Sequence, residues 1–214
     1  MTVAPSLLSA DFLNLSKDVA MLNANADIAH LDIMDGVFVP NLSFGFSVVD
    51  ALKGKFDIPV DAHLMVVHPE RWFERFANAG VKMLSFHWEE SRGRTSEFID
   101  RLHSLGLKAG IAINPDIPVS RLYPYLGKAD YFLIMSVFAG FGGQSFIPGS
   151  LDRVSALKRK IEAGGFRAAI EVDGGVNLSN AADLARAGAD ILVAGSAVFN
   201  AGDPASVIRK LQAV

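Results

Sequence analysis

Eight short apolar segments, separated by longer stretches of helical spacing, predict an α/β fold. Runs of strand length occupy 3–7, 28–32, 60–64, 83–86, 109–113, 131–135, 169–172 and 191–194. Between them lie stretches with helix-like periodicity, such as 69–79, 95–105, 151–163 and 180–187. Strand–helix alternation builds a parallel sheet covered by helices, and eight strands is the number that closes into a (β/α)8 barrel. Periodicity alone also admits a doubly wound open sheet. The barrel is preferred because several strands end in ionisable residues that share a face.

The punctuation agrees with the periodicity. Gly80, Gly106 and Gly188 each follow a periodic stretch, as expected of residues that end helices. Asn177 and Ser179 are the expected cap before the stretch at 180–187. No linker, low-complexity tract or change of composition interrupts the chain, so residues 1–214 are expected to form a single barrel domain.

Composition removes several functions. Half of the 214 residues are hydrophobic and 20% are charged, enough for a large core. The net charge is −3 with no basic run, which argues against nucleic acid as a partner. It leaves room for a phosphorylated metabolite, because backbone amides can hold a phosphate. The chain has no cysteine, so disulfides, thiolate metal ligands and cysteine nucleophiles are excluded. No apolar run is long enough to span a membrane, and the N-terminus has no basic segment followed by an apolar one. No membrane partner is expected, and the expected location is cytoplasmic.

The chemistry is concentrated at strand ends. The second strand ends AHLDIMDG, so alternation puts His30, Asp32 and Met34 on one face. The third ends DAHLMV, with Asp61, His63 and Met65 together, and the seventh ends IEVDGG, with Glu171 and Asp173 together. Buried charges need a cation or hydrogen-bond partners, and two His with two Asp make a reasonable site for a divalent ion. Taken singly, each of these residues is as well explained as a hydrogen-bonded core or loop residue. Asp35, before Gly36, reads as a turn residue rather than a second carboxylate. His68 and His103 read as helix-surface residues and His87 as structural. GFGGQSF at 140–146, DGGV at 173–176 and AGSAVF at 194–199 follow the last three strands. Barrel enzymes hold phosphate on the loops after the seventh and eighth.

These stretches resemble the ribulose-phosphate 3-epimerase family. PSLLSADF, HLDIMDGVFVPNLSFG, DAHLMV, GFGGQSFIP, EVDGGV and VAGSAVF match it in order between residues 5 and 199. The resemblance implies a TIM barrel of the ribulose-phosphate-binding type. It implies His30, Asp32, His63 and Asp173 as ligands of one divalent ion per chain, zinc first, with iron, manganese or cobalt as alternatives. It also implies Asp32 and Asp173 as the acid/base pair. Ser9, His63, Gly142, Gly143, Gln144, Asp173, Gly174, Gly175, Gly195 and Ser196 would bind substrate, and Met34, Met65 and Met135 would pack around the reacting carbons. The expected partners are a sugar phosphate and further copies of the chain in a homo-oligomer.

The implied reaction is metal-assisted interconversion of D-ribulose 5-phosphate and D-xylulose 5-phosphate, a step of the pentose phosphate pathway. Inverting C3 beside a carbonyl needs one group to remove a proton and another to return one on the opposite face. Asp32 is expected as acceptor and Asp173 as donor in one direction. Three other readings stay open: epimerisation of a six-carbon ketose phosphate such as allulose 6-phosphate, a phosphate-barrel decarboxylase or aldolase, and a catalytically inactive sugar-phosphate sensor. SFG at 43–45 is closer to the five-carbon enzymes, and the strand ending Asp32–Asp35 lacks the lysine of the decarboxylases. The chain departs from the family at Phe138 and Ala139, where a polar residue and a proline are usual. Phe138 is expected to dock on a neighbouring apolar surface and steady the loop.

Overall fold

The computed structural model describes all residues, 1–214. Eight parallel strands form one sheet: β1 (Thr2–Pro5), β2 (Ala29–Met34), β3 (Val60–Met65), β4 (Met83–His87), β5 (Lys108–Ile113), β6 (Tyr131–Met135), β7 (Ala169–Asp173) and β8 (Ile191–Ala194). β2 pairs with β3, and so on in chain order to β8, which pairs with β1. The remaining seam is closed by a bridge between Ser6 and His30 and by Ile28 donating its N–H to the Val3 carbonyl. The sheet is therefore a barrel and not the doubly wound alternative.

The helices are α1 (Leu15–Asn25), α2 (Phe46–Leu52), α3 (Phe73–Asn78), α4 (Thr95–Ser104), α5 (Ser150–Ala163), α6 (Ala181–Ala187), α7 (Ser196–Phe199) and α8 (Pro204–Gln212). Each of the longer ones is placed by an apolar stripe. α4 buries Phe98, Ile99 and Leu102, and α5 buries Val154, Leu157 and Ile161, the spacing of one helical face. These residues join Leu31, Leu64, Phe86, Ile111 and Val172 from the outward faces of the strands in the main core. A second, smaller cluster fills the barrel interior near its amino end, with Ile28, Met83, Tyr131 and Ile191.

The glycine signals are accurate: Gly80, Gly106 and Gly188 all take positive φ after their helices. Two expectations need correction. The stretch 69–79 is a 3-10 turn at Pro69–Arg71, entered from His68 in the left-handed region, followed across Trp72 by α3. Asn180, not Asn177, occupies the cap position of α6, while Asn177 Oδ1 accepts the Ser179 N–H at 2.8 Å in the preceding turn. The β5–β6 connection is a 3-10 stretch, Val119–Tyr125, carrying Pro124, a residue that suits a helix interior poorly.

Candidate active site

The carboxyl ends of the strands gather the ionisable residues. In the β2–β3 register His30 lies opposite Asp61 and Asp32 opposite His63, so each strand sets an acid beside the other's imidazole. His30, Asp32, His63 and Asp173 each offer one ligand atom, all within 4.8 Å of one another. The three residues from β2 and β3 are buried, while Asp173 is partly open to a cleft. Asp61, His30 and Glu171 make a second buried group immediately below.

The two histidines face the cluster with different nitrogens. His30 donates Nδ1–H to Asp61 Oδ2 at 2.8 Å, which leaves Nε2, 3.4 Å from Asp32 Oδ1, buried and without a hydrogen-bond partner. His63 is turned the other way. Its Nε2 lies 2.9 Å from His87 Nε2, and its Nδ1 is 3.1 Å from Asp32 Oδ1 and 3.9 Å from Asp173 Oδ2. An orphaned buried imidazole nitrogen aimed at two carboxylates fits a cation. A His2Asp2 set of nitrogen and oxygen donors suits zinc, iron, manganese or cobalt.

Burial and the acids act against each other on His30. Removal from water disfavours its charge, but Asp32 and Asp61 prevail and raise its pKa well above the usual imidazole value. For His63 burial prevails: despite its bond to Asp32, and with His87 opposing the charge, the pKa falls to about 4. The carboxylates are split as well. Burial would raise Asp32, but His30 and His63 hold it well below the ordinary range. Burial, then repulsion from Asp32, raises Asp173 to about 7. Glu171, with both oxygens unpartnered, is pushed up by burial and then by Asp61.

Above the cluster a cleft is lined by Ser9, Asp32, Asp173 and the loops after β6, β7 and β8. Gly142, Gly143, Gln144, Gly174, Gly175, Gly195 and Ser196 all reach it. Gly175 has φ +64, and a Cβ there would meet the Phe146 backbone nitrogen at 2.6 Å, so two loops touch through their main chains. A Cβ at Gly195 would lie 2.7 Å from Ser9 Oγ. Met34, Met65 and Met135 line the same cleft, together with the exposed rings of Phe138 and Phe141. No lysine or arginine is among the lining residues.

His63 is fully buried beneath the cleft, its far nitrogen 2.9 Å from His87 Nε2. One expectation fails here. Phe138 does not dock, being 53% exposed. The loop is steadied instead by the N–H that Ala139 has and a proline would lack, donated to Asn114 Oδ1 at 3.0 Å. Gln144 Nε2 donates to the Phe138 and Phe141 carbonyls, and Asn41 Nδ2 to that of Gly140.

Asp35 organises turns: Oδ1 accepts the Val37 and Phe38 N–H groups and Oδ2 that of Val67, tying the loops after β2 and β3 together. His68 and His103 lie away from the cluster, His103 on Asp130 at the surface. Sequence reasoning missed Ser6, whose hydroxyl donates to Asp32 Oδ2 at 2.5 Å. Its position just past β1, among polar residues at the same barrel end, was the available signal. His87 is structural, as expected, but the structure it supports is the ring of His63.

A barrel with converging carboxylates and imidazoles at its carboxyl end, beside glycine-lined loops, is the framework of a metabolite-transforming enzyme. The family model described as "Ribulose-phosphate 3 epimerase family" matches residues 2–199. The chain belongs to that family, and its class of activity is that of an isomerase, an epimerase. It is 44% identical over 216 residues to the ribulose-phosphate 3-epimerase of Escherichia coli strain K12, covering 98% of this chain and 94% of that one. It is 42% identical over 210 residues to that of Mycobacterium leprae, covering 98% and 93%. Among solved structures, the tryptophan synthase α-subunit of Pyrococcus furiosus superposes with a TM-score of 0.73 at 16% identity over 100% of this chain and 98% of that chain, a likeness of fold alone. No helix is long and apolar enough to cross a membrane.

Proposed function

We propose that this chain inverts C3 of D-ribulose 5-phosphate to give D-xylulose 5-phosphate, and the reverse, with Asp32 and Asp173 as its acid/base pair. One observation carries the reading: two carboxylates, the buried Asp32 and the partly open Asp173, reach one cleft from β2 and β7. Asp32 would accept the C3 proton on one face and Asp173 would return a proton to the other, with the roles exchanged in the reverse direction. Ser6 holds Asp32 by one oxygen and His63 by the other, which fixes the base relative to the cleft.

His30 Nε2, His63 Nδ1, Asp32 and Asp173 would hold one divalent ion, with zinc the first candidate. Such an ion supplies positive charge beside the substrate oxygens as negative charge develops on them. The sugar phosphate group would lie against Gly142, Gly143, Gly174, Gly175, Gly195 and Ser196. With no cationic side chain in the cleft, backbone N–H groups are its donors. The absence of lysine from the cleft also favours epimerisation over the decarboxylase or aldolase reading. Residues 1–214 would act as one barrel unit. Exposed Leu13, Val37 and Leu42, on the loops after β1 and β2, support association with a second copy. Metal-replete protein should convert ribulose 5-phosphate at least about tenfold more efficiently than allulose 6-phosphate, the discrimination that about 1.4 kcal/mol supplies. Equal or reversed efficiency in that comparison would move the assignment to a six-carbon substrate.

A further inference from the structure

Deep in the barrel, below the proposed metal ligands, Tyr131 opens β6 and projects inward. It is fully buried in an apolar layer with Ala4, Ile28, Met83 and Ile191. Phenylalanine would fill such a layer without burying a hydroxyl, which costs free energy unless it is hydrogen-bonded. The hydroxyl has a partner: it donates to Asp61 Oδ1 at 2.6 Å. The other oxygen of the same carboxylate, Oδ2, takes the Nδ1–H of His30 at 2.8 Å.

The barrel makes room for this reach. Tyr131 lies opposite Gly110 in the β5–β6 register, and a Cβ on Gly110 would stand 2.3 Å from Tyr131 Cζ. A side chain is thus missing from β5 where the ring crosses towards β3. The alternative partner for His30 is also close. Glu171 Oε1 is 3.7 Å from Nδ1, and neither Glu171 oxygen has a hydrogen bond. An Asp61 released from Tyr131 would be free to rotate, and the ring of His30 with it.

We propose that Tyr131 is a positioning residue for the metal centre, acting through Asp61 to aim His30 Nε2 at the ion. The inference rests on the metal-binding reading given above. Outer-shell partners of this kind hold a ligating ring in one orientation, and their loss typically weakens metal binding by about 10-fold to 100-fold. Tyr131 sits at the lower end of that range, because it touches the ligand through one intermediary.

The test uses metal-free full-length protein titrated with Co2+, read by its visible absorption and by competition with a chelator. Tyr131→Phe should bind Co2+ about tenfold more weakly, with an altered spectrum. Asp61→Asn should weaken binding more, and Tyr131→Phe should add little to it in the double variant. Thermal unfolding of the metal-free proteins separates packing from positioning. Wild-type affinity and spectrum in Tyr131→Phe, even with lowered stability, would show that the tyrosine only packs and overturn the proposal. Should Tyr131→Phe yield no folded protein, Asp61→Asn takes its place: unchanged affinity there overturns the proposal too. A wild-type chain that binds no Co2+ would instead overturn the metal centre itself, and this inference with it.

Discussion

The arc formed by β2, β3 and β7 and the loop after β6 face the same cleft but are built on opposite terms. In the arc, His30, Asp32 and His63 are almost wholly buried, and each is fixed by a neighbour on another strand. In the loop, Phe138 and Phe141 are half exposed, and the main chain hangs on a few amide side chains, Asn114, Asn41 and Gln144. The difference teaches where rigidity is needed. Groups proposed to exchange protons must be held within tenths of an ångström, and strands supply that; a segment proposed to lie over the substrate must allow passage, and polar anchors permit it.

Breaking the arc should cost most. Asp32→Asn removes the proposed base and metal ligand and disturbs both imidazoles, so kcat/KM should fall by about 1,000-fold or more. A loss under tenfold in steady-state assay would place the base elsewhere.

The proton balance of the arc gives a smaller effect. In the metal-free protein burial raises Asp173 to about 7, and Asp32 and Asp61 raise His30 above the usual imidazole value. Both protons must leave for these groups to ligate, while His63, at about 4, is already neutral. Metal affinity should therefore rise as pH increases from about 6 through about 7, with protons released on binding. Calorimetry in buffers of different ionisation enthalpy measures that release. Affinity that is flat or falls over the interval would contradict the assignment.

The loop should respond least, and unevenly. Asn114→Ala removes the acceptor of the Ala139 N–H and should raise KM by about threefold to tenfold, the effect of one hydrogen bond. Phe138→Ala removes an exposed ring and should change kcat/KM by less than about threefold, as is usual at surfaces. The opposite ranking in steady-state kinetics would mean that Phe138 contacts bound substrate.

The same contrast explains what the sequence made legible. Strand-end motifs such as AHLDIMDG and EVDGG place their side chains by simple alternation, so His30, Asp32, His63 and Asp173 could be grouped before any coordinates. Their supporters could not. Ser6 on Asp32, His87 on His63 and Tyr131 on Asp61 are contacts between strands, fixed by register and ring direction, which periodicity does not encode. Pro118 and Pro124 did carry a signal against a regular helix between β5 and β6. At residue 138 local chemistry misled: an exposed phenylalanine suggested docking, whereas the adjacent Ala139 N–H found the partner.

The central claim, two carboxylates serving opposite faces of C3, is tested most directly by solvent exchange in Asp173→Asn. The variant would be saturated with metal, its metal content measured, and each epimer incubated in deuterated water. With Asp32 intact, deuterium should enter C3 of one epimer while interconversion falls by at least about 100-fold. Interconversion at the wild-type rate, or equal exchange from both epimers, would contradict a two-carboxylate mechanism.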